Sequence, residues 1–299
     1  MPLDQDLNDE SEESSGGESG EKEMSFLDHL EELRWHVIRS IVAIMVFTTV
    51  AFFEVKWIFT NIILAPAKSD FLTWRALCKI GQMTNFKDLC IDDIPLELQS
   101  RYMTGQFTIT IVAAFILGLI IAFPYIAWEL WRFIRPGLRP SERKNSSGVV
   151  GAISFLFLLG ISFGYYVISP LMVYVMVNYK ISDMILNQFD ITSYVSTFVA
   201  LVFGSGLLFQ LPVVVYFLSK IGLVTPAFLR KYRKHAVIVI LVVAAIITPP
   251  DPLSQTIISI PLYLLFEISI LISSRVEKQK LREEEAERLE EERLKQSAS

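Results

Sequence analysis

Cysteine and histidine are scarce, with two cysteines and three histidines in 299 residues. Cys78 and Cys90 combine with His29, His36 and His235 into no zinc-ligand spacing and no Cys-His nucleophile pattern, so neither a metalloenzyme nor a bound metal is expected. The sequence also lacks a nucleophile-base pair, a phosphate-cradling glycine loop, a dinucleotide fingerprint and a calcium loop. No enzymatic activity and no cofactor are expected on that ground. A concentrated basic face is missing as well: the formal net charge is −5 and the basic residues are dispersed among apolar blocks, which argues against a nucleic-acid partner. The N-terminus has no basic stretch followed by an apolar run. Residues 1–23 carry nine acidic side chains against one lysine, which reads as a disordered acidic tail and not as a secretory signal or an organellar transit peptide.

What the chain does have is apolar length. Blocks of spanning or near-spanning size occur at about 37–55, 105–128, 149–178, 194–218, 236–248 and 255–273. A bilayer core of roughly 30 Å takes about 20 helical residues, so the first four blocks suffice for full spans. Ala236–Ile247 covers only roughly 18 Å, and Thr256–Ile272, with Glu267 inside it, roughly 25 Å, so the last two blocks form a short hairpin. Its turn, Thr248-Pro249-Pro250-Asp251-Pro252, ends helix five with prolines and sets Asp251 and Gln255 deeper than polar groups normally lie. The predicted fold class is therefore an all-α integral membrane protein of six transmembrane helices, helices five and six short. The membrane domain runs over 24–274, followed by a charged cytoplasmic tail at 275–299.

Charge sets the orientation. The connection between spans two and three holds Arg132, Arg135, Arg139, Arg143 and Lys144, and that between four and five holds Lys220, Arg230, Lys231, Arg233 and Lys234. Both are predicted to be cytoplasmic, which puts both chain ends on the same side. The long loop at about 56–103, where basic and acidic residues nearly balance, is then exoplasmic. There Cys78 and Cys90 either close a loop as a disulfide, worth about 2–3 kcal/mol in a chain-entropy model, or remain two free thiols.

Two cytoplasmic segments carry acids where bases are expected. Phe26, Leu27, Leu30, Leu33 and Val37 give an amphipathic helix with Trp35 as an interfacial anchor. Anionic headgroups repel Glu31 and Glu32 on that helix, so these carboxylates either receive a cation or pair locally with Arg34 or Arg39. Glu142 stands among five basic residues, either as a first-turn acid behind a Ser141 cap or as a bidentate site for a guanidinium. Within the membrane, Gln210 before Pro212 is either interhelical glue or part of a wet cavity, and the same alternatives hold for Glu267. Gly160 and Gly164 supply a small-residue packing face.

These residues resemble the TatC family, the receptor subunit of the twin-arginine protein translocase. The resemblance runs from about 26 to 275 through His29-Leu30-Glu31-Glu32-Leu33-Arg34, Ala65-Pro66, Trp131-x-Phe133-Ile134-x-Pro136-Gly137-Leu138 with Glu142-Arg143-Lys144, Phe209-x-x-Pro212, and Thr248-Pro249-Pro250-Asp251-x-x-Ser254-Gln255. It implies a glove-like bundle of six helices and a cytoplasmic site for the twin-arginine signal peptides of folded precursors. Glu32 and Glu142 would receive the arginines, with Arg34 and Phe133 shaping the site. It further implies that Thr248 and Gln255 dock the single-span TatA or TatB subunits, that Pro66 and Asp251 belong to the exoplasmic loops, and that Gln210 lies inside the concave face. Many relatives carry Glu where this chain has Gln210, so a proton-coupled role for that side chain does not follow. Self-association in a larger complex, contact with membrane lipid, a bacterial plasma (inner) membrane location and transport driven by the protonmotive force complete what the resemblance implies. The alternative is a small-solute secondary transporter, but no inverted repeat or paired broken helices relate 37–178 to 194–273.

Overall fold

The structure, a computed structural model, describes residues 26–84, 90, 94–135, 148–182, 184–185, 187–247 and 252–297, apart from the side chains of 26–30 and 252–254. The acidic tail, the loop that holds Glu142, and the turn residues Thr248 and Asp251 lie outside the described residues.

Helix α1 runs over Phe26–Phe53 without a glycine or proline in 28 residues, so the amphipathic segment and the first apolar block are one rod. Beyond it a short helical turn, Val55–Ile58, widens into a π turn at Phe59–Ile63. The wider turn loosens the regular backbone ladder. Two carbonyls there are satisfied from elsewhere: Tyr165 Oη donates to Ile62 O at 3.1 Å and Tyr194 Oη to Ile63 O at 2.8 Å. The loop that follows contains helix α2 (Leu72–Thr84), whose buried Trp74 donates through Nε1 to Pro66 O at 3.1 Å. Cys78 on this helix and Cys90 are joined as a disulfide.

Helix α3 spans Gly105–Ile134. It is antiparallel to α1, since His36 meets Glu129 at one end and Thr48 lies over Gly118 further along. A Cβ on Gly118 would come within 2.5 Å of the Thr48 backbone nitrogen, so only glycine permits this approach. The third membrane segment is α4 (Val149–Phe163) and α5 (Ser169–Asn178), joined by a π turn at Gly164–Ile168. Pro170 removes the donor that the Tyr166 carbonyl would have used, and the Thr73 hydroxyl of α2 donates to that carbonyl instead. A sequence irregularity in the membrane thereby anchors the loop helix.

The fourth segment is α6 (Ile191–Leu208) and α7 (Leu211–Lys220), offset at Phe209-Gln210 ahead of Pro212. Asp190 caps α6, accepting from the backbone N–H of Thr192 at 2.9 Å and Ser193 at 3.3 Å. Helix α4 lies against α6 through Gly160, where a Cβ would stand 2.7 Å from Ser205 O. Two-residue strands β1 (Leu98–Gln99) and β2 (Phe189–Asp190) pair in parallel, with Leu98 opposite Phe189, and tie the loop after α1 to the loop after α5. The all-α reading has no place for this pair. It forms because neither loop can leave its backbone groups unsatisfied where they meet.

After α8 (Pro226–Lys231) come α9 (Arg233–Ile247) and α10 (Pro252–Ser297). Five segments among the described residues are long and apolar enough to cross a membrane: Glu31–Phe53, Gly105–Ile134, Val149–Asn178, Ile191–Lys220 and Gln255–Ser297. At 15 residues α9 is not one of them. The expectation that helix six is also short is corrected: α10 is continuous over 46 residues, about 69 Å at helical rise. Its apolar part ends near Ile272, but the Glu-, Arg- and Lys-rich stretch beyond consists of strong helix formers with no glycine or proline to stop it. Gln279 to Glu283 at 3.0 Å is one of the i,i+4 pairs that support it.

Candidate functional site

The candidate site lies where the start of α1 meets the end of α3. Helix periodicity puts Glu32, His36 and Arg39 on neighbouring turns of one α1 face, and Tyr125, Glu129, Arg132 and Phe133 on the facing stripe of α3. The His36 imidazole is buried and its Nδ1 meets Glu129 Oε2. Glu129 is 1% exposed, yet each of its oxygens has a partner, because Tyr125 Oη donates to Oε1 at 2.9 Å. Arg39 Nη1 stands 4.0 Å from Oε2, adding a positive neighbour. A carboxylate this deep persists only when it is paired and hydrogen-bonded, and here it is both.

The cluster opens outward. His36 Nε2 faces Glu32 Oε1 at 4.0 Å, and the Glu32 side chain is 39% exposed. The Phe133 ring closes the other side of the imidazole, edge-on with ring centres 6.2 Å apart. The Arg132 guanidinium sits over the Trp128 ring at 5.6 Å. The result is a graded path from a fully buried carboxylate, through an imidazole, to an exposed carboxylate.

Of the signal-peptide residues expected from the resemblance, Glu32 and Phe133 come together around His36. Arg34 is exposed on the same helix, and Glu142 lies outside the described residues. Sequence reasoning missed His36 and Glu129. The signal was present: Glu129 is an acid within an apolar block, and His36 stands four residues after Glu32, the spacing that puts side chains on adjacent turns. In space the neighbour of Glu32 is His36 on the same helix, and Arg39 leans towards Glu129.

The other named residues are dispersed. Gln210 Nε2 donates to Ile153 O at 3.1 Å across α4, which makes it interhelical glue at the α6–α7 offset. Glu267 pairs with Arg233 Nη2 at 2.7 Å and accepts from Tyr263 Oη at 3.0 Å, joining α10 to α9. Gln255 Nε2 donates to Leu241 O at 3.1 Å across the same two helices. Pro66 is buried under Trp74. At the opposite end of the bundle Asp190 also accepts from the Arg101 backbone N–H at 3.1 Å. Burial alone would raise its carboxyl, but the backbone donors of Arg101, Thr192 and Ser193 and the Thr192 hydroxyl hold it below the usual carboxylate range.

Membrane-length helices packed antiparallel, with ionisable groups paired between them, define a multi-pass α-helical membrane protein. Comparison with known proteins carries this further. Residues 28–261 match the family described as Sec-independent protein translocase protein (TatC). The chain is 40% identical over 260 residues to the Sec-independent protein translocase protein TatC of Blattabacterium sp. subsp. Periplaneta americana, covering 86% of this chain and 98% of that one. It is 36% identical over 252 residues to TatCy of Bacillus subtilis strain 168, covering 84% and 89%. A crystal structure of the twin-arginine translocase receptor TatC superposes with a TM-score of 0.64 at 30% identity, covering 83% of this chain and 99% of the other. The chain belongs to the TatC family.

Proposed function

We propose that this chain is the signal-peptide receptor and core subunit of a twin-arginine translocase in a bacterial plasma membrane. The observation that carries the reading is the exposed Glu32 carboxylate, gathered with Phe133 around His36 in a chain of this family. Glu32 and Glu142 each receive one guanidinium of the arginine pair, a two-pronged contact that lysine does not reproduce. Arg34 and Phe133 border the site. The Lys- and Arg-rich connections after α3 and α7 favour a cytoplasmic position for this end of the bundle and for both chain ends. In this reading α9 is a sixth, short membrane segment, and the bilayer thins beside it.

No chemical step is involved. The receptor binds the signal peptide of a folded precursor and recruits single-span TatA- or TatB-type subunits along α9 and α10, near Thr248 and Gln255. It associates with further copies of itself, and the assembly moves the precursor at the expense of the protonmotive force. Gln210 and Glu267 are structural in this scheme, since each is engaged with a neighbouring helix. Pro66 and Asp251 shape the exoplasmic loops.

A photocrosslinker at Ser141 tests the receptor site, with precursor signal peptides carrying paired arginines or paired lysines presented to the intact chain and to E32Q and E142Q. Crosslinking that requires both the arginines and the carboxylates is the expected result. Equal labelling in every combination would remove both carboxylates from recognition.

A further inference from the structure

We propose that His36 is the positioning residue for Glu32 and that capture of a signal-peptide arginine by Glu32 releases one proton from the His36 imidazole. The inference rests on the reading of Glu32 as an arginine receptor and specifies how that receptor is set. Glu129, fixed by Tyr125, takes the Nδ1 side of the ring, and this aims Nε2 at Glu32 from 4.0 Å. The groups facing the ring are Glu32 and Arg39 from α1, and Glu129, Tyr125 and Phe133 from α3, with the Arg132 guanidinium turned onto the Trp128 ring. Helix α3 is the element packed most extensively along α1.

One imidazole thus stands between two carboxylates, and only its cationic form carries an N–H towards each of them. A guanidinium arriving at Glu32 takes that carboxylate with its fork and leaves Nε2 facing a cation. The Nε2 proton then goes to solvent while the Nδ1 proton stays directed at Glu129. One guanidinium is bound and one proton is lost, so binding strengthens as pH rises. Imidazolium and guanidinium compete for the same oxygen atoms, and the buried Glu129 keeps the competitor in place.

Binding of a labelled twin-arginine signal peptide to membrane vesicles carrying the full chain with its partner subunits, measured from about pH 6 to 8 where imidazoles change charge, tests this. Intact protein should gain affinity with rising pH, by up to about tenfold per pH unit for a single linked proton. H36Q should bind with no such slope. H36R, which keeps a permanent cation and a donor to Glu129, should bind weakly at every pH. A flat profile for the intact chain, a slope that survives in H36Q, or H36R binding as tightly as the intact chain at high pH would each overturn the proposal. E32Q separates the two levels: if it loses binding while the intact chain shows no slope, the proton linkage alone is wrong. If E32Q binds as the intact chain does, the receptor reading of Glu32 fails and this inference fails with it.

Discussion

His36 with Glu129 and Arg233 with Glu267 both tie neighbouring helices, and the two pairs sit in opposite surroundings. His36 and Glu129 join α1 to α3 with Glu129 1% exposed, whereas Arg233 and Glu267 join α9 to α10 with side chains 46% and 30% exposed. Each glutamate also accepts from a tyrosine four residues before it, Tyr125 in one case and Tyr263 in the other. The chemistry is nearly repeated, so what differs is access. A buried pair must be complete, because one partner alone leaves a desolvated charge, while an exposed pair trades readily with water. The first pair specifies how α1 lies on α3, and with it the position of Glu32. The second is an adjustable clasp on the helices proposed to receive partner subunits.

The largest effect is expected from breaking the buried pair on one side only. H36L should lower stability by about 3 kcal/mol, at the low end for an orphaned buried charge because Tyr125 and Arg39 remain near Glu129. The double change H36L with E129L should recover most of that loss, and thermal unfolding of the detergent-solubilised chain reads both. A double variant no more stable than H36L would mean that the pair does more than neutralise itself.

Breaking the exposed pair is the contrasting case. R233Q should shift stability by less than about 1 kcal/mol, with the same unfolding measurement as its check. A loss as large as that of H36L would erase the distinction between the two ends of the comparison.

The smallest effect is expected at Asp190, which lies outside the membrane segments. Its folded carboxyl is held below the ordinary value by backbone donors, despite the opposing effect of burial. The cap therefore contributes fully above the unfolded value of about 3.9 and is lost as pH falls through the lower folded value. Protection of the Thr192 and Ser193 amides, measured as exchange relative to the intrinsic rate at each pH, should fall on acidification through that window in the intact chain and be insensitive to it in D190N. An equal acid response in both would place the sensitivity elsewhere.

Much of the architecture was legible in the sequence because bilayer thickness converts apolar run length directly into helices. The segments of α1, α3, α4–α5 and α6–α7 follow from runs of that size, and the shortness of α9 follows from the same arithmetic. The continuation of α10 to Ser297 was less legible, since a run of mixed charges reads equally as a frayed tail until the helical register connects it to the apolar part. The strand pairing of β1 with β2 had no signal, because two residues carry no periodicity.

The candidate site divides the same way. Glu32 was visible as an acid in an amphipathic cytoplasmic segment, and the ordered motifs that include it, Phe133 and Glu142 carried the family resemblance. Sequence alone determined the membrane class, the number of apolar blocks and the family, because hydropathy and motif order are properties of the chain read in one dimension. Only the tertiary structure decided that His36 and Glu129, 93 residues apart, are partners, that Gln210 is spent on the Ile153 carbonyl, and that Arg39 turns towards Glu129. Which charge neutralises which depends on how two helices cross and how deeply the crossing is buried, and no local pattern specifies that.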